Sequence, residues 1–355
     1  MATSVYIHIP FCKSKCKYCS FISFPMIEKK QVYLEALEKE IQHNYKGEQL
    51  KTLYFGGGTP SLLGIEDFEM LLKKFNVDGE TEITTELNPE TLTEEFLKGL
   101  KTIGINRLSL GCQTFDDEIL KLIGRRHNSE QVKKSVEFAQ NVGFKNISLD
   151  FIYGLPTQTI GGFSNDLKQA VALGIQHISL YGLKIDEGCY FYDHYPEDLP
   201  DNDLQADMYL KAVQILENFE HYEVSNFGLP SHHNLNYWNN ENYYGFGVAA
   251  HGYLGNIRYS NFETLEEYLQ NPLKHNIEMV LTKSEKLEEE IFLGFRKMSG
   301  VDVDFINAKF QIDFEKKYSL ILEKYKDFFV KTKKGYALTI DGTLISNSIL
   351  SEFLQ

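Results

Sequence analysis

With 355 residues, of which 43% are apolar and 24% charged, the chain can bury a substantial core as one large α/β domain or two ordinary ones. Its net charge of −14 argues against broad phosphate-backbone binding, so no nucleic-acid partner is expected. No run of eighteen apolar residues occurs, and residues 1–10 lack a signal peptide's charged start and cleavage site; the expectation is no membrane span and a cytoplasmic home.

In chain order, residues 5–10 (VYIHIP) read as a buried strand stopped by Pro10, and a cysteine-bearing loop follows. Residues 28–45 carry a helical apolar spacing. Residues 52–55 read as a strand that breaks into Gly56, Gly57, Gly58, Thr59 and Pro60, with Ser61 as the expected cap of a helix reaching Asn76. The alternation continues with strands at 82–88, 107–113, 146–156 and 177–184, and with helices over 91–100, 116–124, 129–142 and 163–173. Six βα units imply a parallel sheet, either an open doubly wound one or an incomplete barrel. Beyond Lys184 a helix over 204–219 precedes SHHNLNYWNNENYYGFG, which resembles neither helix nor strand. A helix capped by Ser284 and a small α+β tail complete the chain. A boundary near residue 275 is expected, separating a core (1–275) from a small C-terminal domain (276–355).

Cys12, Cys16 and Cys19 follow C-x3-C-x2-C spacing, and this crowding in a long chain points to a metal or cluster rather than a disulfide framework. A cubane iron–sulfur cluster takes four thiolates, so three cysteines leave one iron open. An open iron can chelate the amine and carboxylate of S-adenosylmethionine and feed an electron to its sulfonium. The alternative is structural zinc held by the three cysteines and His8. Gly56–Gly58 would let backbone approach a ligand closely. Glu86, Gln113 and Asp150 lie in phase with other polar residues near strand ends, where barrel folds place their sites. Cys112 and Cys189 read as buried small residues.

The motifs YIHIPFCKSKCKYC (6–19), GGGTP (56–60), ELNP (86–89), SLGCQ (109–113), GRRH around Arg125, LDFIYGLP (149–156) and GFGVAAH (245–251) together resemble the radical S-adenosylmethionine superfamily, in the group of the oxygen-independent coproporphyrinogen III oxidase (HemN). The resemblance implies an α/β fold with a partial (β/α)6 barrel, TIM-like, and a small helical, winged-helix-like C-terminal domain. It implies a [4Fe-4S] cluster on Cys12, Cys16 and Cys19. It also implies an S-adenosylmethionine pocket lined by Tyr6, Gly57, Gly58, Thr59, Glu86, Gln113, Arg125 and Asp150, with Lys184 and His251 near looser contact positions.

Three features separate the chain from the oxidase. Five residues precede Tyr6 where the oxidase has a longer extension, Phe21 stands where the oxidase has a further cysteine, and His233, Asn234, Tyr237 and Trp238 spell H-N-x-x-Y-W. The last is typical of the haem-chaperone (HemW) branch. By that resemblance these four residues contact haem, and haem passes to acceptor proteins such as a membrane-bound oxidoreductase or a haem store; a homodimer is left open. On the residues alone, His233 and Asn234 bonded to backbone, with the aromatics filling core, is the plainer alternative.

Overall fold

The structure, a computed structural model, describes residues 3–354. Six strands, β1 (Ser4–Ile9), β2 (Thr52–Gly57), β3 (Glu82–Leu87), β4 (Arg107–Gln113), β5 (Ile147–Tyr153) and β6 (His177–Gly182), alternate with helices α1 (Lys30–Asn44), α2 (Ile65–Leu72), α3 (Glu94–Thr102), α4 (Asp117–Leu122), α5 (Ser129–Val142) and α6 (Ile160–Ala172). Each of the first five strands pairs in parallel with the next in chain order, up to β6. Such consecutive order belongs to barrel winding; a doubly wound sheet reverses direction at a switch point. The incomplete barrel is therefore the architecture.

The chain continues through α7 (Tyr190–Asp193), α8 (Asn202–Ile215), β7 (His221–Glu223), β8 (Asn226–Gly228), α9 (His232–Trp238) and β9 (Tyr244–Phe246). β8 joins β6 antiparallel with β7 beyond it, and β9 joins the other edge beside β1, so the sheet order is β7-β8-β6-β5-β4-β3-β2-β1-β9. A three-stranded antiparallel sheet, β10 (His251–Leu254), β11 (Ile257–Ser260) and β12 (Ile277–Val280), follows, with α10 (Leu265–Gln270) inserted. The remainder comprises α11 (Lys283–Gly294), β13 (Val301–Asp302), α12 (Val303–Phe310), α13 (Phe314–Lys317), α14 (Ser319–Lys324), β14 (Phe329–Lys331), β15 (Gly335–Leu338), α15 (Ile340–Leu344) and α16 (Ser346–Ser351).

Period-2 alternation along the strands builds two environments. Val5, Ile7, Ile9, Leu53, Phe55, Leu108, Leu110, Ile147, Leu149, Ile178 and Leu180 belong to the apolar core. The intervening Tyr54, Glu86, Arg107, Ser109, Ser148, Asp150 and His177 meet one another instead, through Tyr54–Glu86, Ser109–Asp150 and Arg107–His177 contacts. The barrel interior is thus polar. A second core, including Leu287, Ile291, Phe295, Phe310, Phe314, Tyr318 and Phe353, organises the C-terminal region. β12 pairs with β11, so backbone pairing crosses residue 275 before that second core begins.

Local corrections have local causes. After GGGTP the chain makes a short 3-10 turn, Pro60–Leu62, and α2 starts at Gly64, whose N–H donates to Asp67 Oδ2 at 2.8 Å. α11 is capped by Thr282, not Ser284: Glu285 N–H donates to Thr282 Oγ1 and Thr282 N–H donates to Glu285 Oε2, a capping box. HHNLNYW is helical although its residues are mediocre helix formers. The Glu82 carboxylate accepts from the His232 and His233 amides at 3.1 and 3.0 Å, and Ser231 Oγ accepts from Asn234 N–H. A carboxylate at a helix N-terminus satisfies donors that would otherwise be orphaned.

Candidate functional site

The C-terminal strand ends gather the motifs around a cavity of about 420 Å³. Cys12, Cys16 and Cys19 border it as free thiols on the loop after β1. That loop is fixed from three directions: Cys12 N–H donates to Phe24 O (3.2 Å), Lys17 N–H to Ile123 O (3.0 Å) and Phe191 N–H to Lys17 O (2.9 Å). The Cys12 Sγ lies 3.4 Å from Thr59 Oγ1, which also accepts from Asn88 Nδ2 at 2.9 Å. Arg125 donates to Asn88 Oδ1 and Gly111 O, both at 2.8 Å, and its other terminal nitrogen lies 3.7 Å from Cys16 Sγ. Asn88 thereby couples the GGGTP loop to the arginine.

The glycines carry close approaches. A Cβ on Gly58 would stand 2.7 Å from Phe11 O and 2.9 Å from Ile9 O, both backbone atoms. Gly57 has φ of +110°, where an L side chain is strained, and a Cβ there would meet the His8 ring at 2.5 Å. The β2 end therefore runs flush against the cysteine loop.

Glu86 Oε1 accepts from Tyr54 Oη at 2.9 Å and Oε2 accepts from Gly57 N–H at 3.0 Å; burial pushes its carboxyl up to about 7. Asp150 accepts from Ser109 Oγ (2.8 Å) and Ser148 Oγ (3.1 Å), and burial raises it as well. Gln113 borders the cavity at φ of +69°, next to a bulge between Gly111 and Gln113. Non-glycine residues in this region cost energy, and here the bulge at the end of β4 accompanies the strained Gln113 at the cavity edge.

Of the residues expected from the sequence, Cys12, Cys16, Cys19, Gly57, Gly58, Thr59, Glu86, Gln113, Arg125, Asp150, Lys184 and Asn234 border this one cavity. Tyr6 stands behind it, its Oη 3.0 Å from His8 Nδ1. His251 is exposed, at the start of β10. Three members of HNLNYW also lie behind the wall. His233 is fully buried, with Nδ1 2.8 Å from Thr52 Oγ1 and Nε2 2.8 Å from Tyr237 Oη, so neither ring nitrogen is open to an iron in this conformation. Trp238 carries the Arg296 guanidinium 5.0 Å from its ring centre. Asn234 alone of the four borders the cavity.

The residues fit a cluster with an open iron. Three thiols on one loop face the cavity, and the one histidine weighed as a zinc ligand, His8, is committed elsewhere: Nδ1 to Tyr6 Oη and Nε2 to Ile22 O at 2.8 Å. When bound, the cluster supplies an electron. Cys12, Cys16 and Cys19 would hold it, and the flush Gly57–Thr59 backbone with the Glu86 and Asp150 carboxylates would face a ligand adjoining it.

Sequence reasoning placed Asn88, Ser109 and Ser148 in phase with the expected site residues without giving them a role, and it missed Tyr54, Arg107, Tyr181 and Ser179. A signal existed for the serines: RLSL, NISL and HISL repeat one polar position in three successive strands, and Ser109 sits opposite Ser148 while Asp150 sits opposite Ser179. Arg107, almost fully buried, has only His177 Nδ1 at 3.4 Å, and its Nε has no partner among the described residues.

The C-terminal region docks on α9, β7 and β11, away from the cysteine loop. Arg258 pairs with Glu289 at 2.9 and 3.1 Å, Val224 N–H donates to Arg296 O, Met298 N–H to Tyr222 O, and Lys297 Nζ to Asn239 Oδ1. It buttresses the HNLNYW helix.

Comparison with known proteins gives the family. The profile of the radical SAM superfamily matches residues 6–170 and that of the HemN C-terminal domain matches residues 281–346. The chain is 40% identical to the heme chaperone HemW of Lactococcus lactis over 99% of this chain and 97% of that protein, and 36% identical to that of Bacillus subtilis over 99% of each. The structure of coproporphyrinogen III oxidase (HemN) from Escherichia coli superposes with a TM-score of 0.87 at 24% identity, covering 100% of this chain and 90% of that one, a likeness of fold. With its cysteine loop, glycine turn and partial barrel, the chain belongs to the radical S-adenosylmethionine superfamily and, within it, to the HemW branch of the HemN-like proteins.

Proposed function

We propose that the chain is a haem chaperone of the radical S-adenosylmethionine type, working in the cytoplasm. It binds a [4Fe-4S] cluster through Cys12, Cys16 and Cys19, and S-adenosylmethionine through Gly57–Thr59, Glu86, Gln113, Arg125 and Asp150, with Tyr6 behind them. It also binds haem, which it passes to a haem-requiring acceptor. The observation that carries this reading is one cavity bordered both by the three cysteines and by Asn234 of HNLNYW. Haem contact is assigned to that motif; His233 would reach the iron only after releasing Thr52 and Tyr237.

The test is anaerobic. Reconstituted protein is titrated with haem and followed by the Soret band, and a second sample receives S-adenosylmethionine, reductant and coproporphyrinogen III. Stoichiometric haem uptake, with transfer to an apo-acceptor and no protoporphyrinogen, supports the chaperone. Catalytic formation of protoporphyrinogen would make the chain an oxidase and end the chaperone reading.

A further inference from the structure

The HNLNYW helix is joined to the glycine turn by an unbroken chain of contacts. His233 is anchored at both ring nitrogens, to Thr52 and to Tyr237, so its orientation is set. Its ring stacks on Tyr54, with centroids 4.9 Å apart and planes inclined by 24°. Tyr54 then donates its hydroxyl to Glu86 Oε1, and Glu86 Oε2 holds the Gly57 amide. Burial, with the Arg107 charge adding to it, lowers His233 to about 3, so the ring is neutral. A neutral ring stacked face to face is an apolar backstop for the tyrosine, and it keeps the Tyr54 hydroxyl on the carboxylate.

Glu86 could not hold this geometry alone. It is half-buried at the cavity wall, and its orientation is defined by one tyrosine hydroxyl and one amide. A carboxylate released from Tyr54 could turn toward solvent in the cavity and leave the Gly57 N–H without an acceptor. We propose that His233 is a positioning residue for the S-adenosylmethionine pocket, acting through Tyr54 on Glu86 and Gly57, so that HNLNYW sets cofactor affinity from behind the barrel wall. This rests on S-adenosylmethionine being the ligand of the pocket. It does not require haem.

The experiment measures the S-adenosylmethionine Kd of the reconstituted full chain by anaerobic equilibrium dialysis. The electron paramagnetic resonance spectrum of the reduced cluster is recorded with and without the ligand. Wild type, Tyr54→Phe, His233→Asn and the double variant are compared. Each single change is expected to weaken binding about five- to tenfold, the size of one ordinary hydrogen bond. The double variant is expected to be no weaker than the worse single, because both act along one path. The ligand-induced spectral change should shrink in parallel, which a general loss of stability would not produce. A His233→Asn Kd within twofold of wild type, or losses that multiply in the double variant, would overturn the proposal. Should His233→Asn fail to fold, Thr52→Val, which removes only the Nδ1 partner, takes its place with a loss of about threefold expected; an unchanged Kd there counts against the proposal equally. Wild type that binds no S-adenosylmethionine would sink the pocket reading itself, and the inference with it.

Discussion

Thr59 Oγ1 lies 3.4 Å from Cys12 Sγ, although the two residues are 47 positions apart. The glycine turn after β2 and the cysteine loop after β1 are therefore one structure, locked by Gly58 N–H to Ile9 O at 2.8 Å and Thr59 N–H to Phe11 O at 2.7 Å. Replacing Thr59 by valine removes the hydroxyl from both Cys12 and Asn88. The expected outcome is iron and sulfide content near wild type, thermal stability lower by about 1 kcal/mol, and weaker S-adenosylmethionine binding. Metal analysis, a melting curve and a binding isotherm check the three parts.

Serine at Cys12, Cys16 or Cys19 should abolish the cluster while leaving the fold intact. The three side chains are half-buried and outside the apolar core, so no cavity is created. Reconstituted variants should lose the broad visible absorbance of the cluster and keep a melting temperature within a few degrees of the apo wild type.

Glu40, fully buried on α1, accepts from Gly247 N–H, Asn261 Nδ2 and the Tyr268 hydroxyl, and so ties α1 to the turn after β9, to the end of β11 and to α10. Burial outweighs these donors and pushes it up to about 7 from 4.5. The folded state thus holds the proton more tightly than the unfolded one. Glu40's contribution is present in full below pH 4.5 and is lost as pH rises to about 7. His8 and His221, lowered to about 4 by burial, act the other way, weakening the fold as pH falls from 6.5 toward 4. The difference between wild type and Glu40→Gln isolates the carboxyl. Unfolding free energies measured from pH 4.5 to 8 should converge as pH rises to 7 and run parallel above it; a constant difference across the range would count against a titrating Glu40.

Arg296→Ala should loosen the C-terminal region from the HNLNYW helix. The chain has a single tryptophan, Trp238, and the Arg296 guanidinium lies over its ring. Loss of that contact, worth about 0.5–2 kcal/mol, is expected to move the tryptophan emission to longer wavelength and lower the melting temperature by a few degrees. Unchanged emission would show that the two regions hold together without it.

Gly58→Ala places a Cβ against two backbone carbonyls that cannot move away independently. Binding of S-adenosylmethionine should fall by more than tenfold with cluster content partly retained, since the displaced strand is the ligand-facing one. Gly79→Ala, where an added Cβ meets nothing within 4 Å, is the control that should leave both unchanged.

The sequence by itself determined the repeating units and the chemistry of the cysteine loop. RLSLGCQ and the other apolar strand segments, the helices between them and C-x3-C-x2-C with GGGTP are local patterns, written in side-chain period and in the steric freedom of glycine, and the structure returns β4 over the same residues, Arg107–Gln113. Tertiary structure decided the rest, because it depends on partners distant in the chain. The consecutive strand order that makes a barrel is a matter of pairing rather than of period. HHNLNYW became a helix because Glu82, some 150 positions earlier, receives its first amides. His233, which the motif suggests as an open ligand, is closed on both nitrogens because Thr52 on β2, 181 positions earlier, meets one of them, while Tyr237, one turn along the same helix, meets the other. Gln113 has its positive φ beside the bulge that ends the β4–β5 pairing, and Arg107 is almost fully buried within the barrel. Each of these is a buried polar group, and what satisfies such a group is set by the space the fold encloses, which no local stretch of residues encodes.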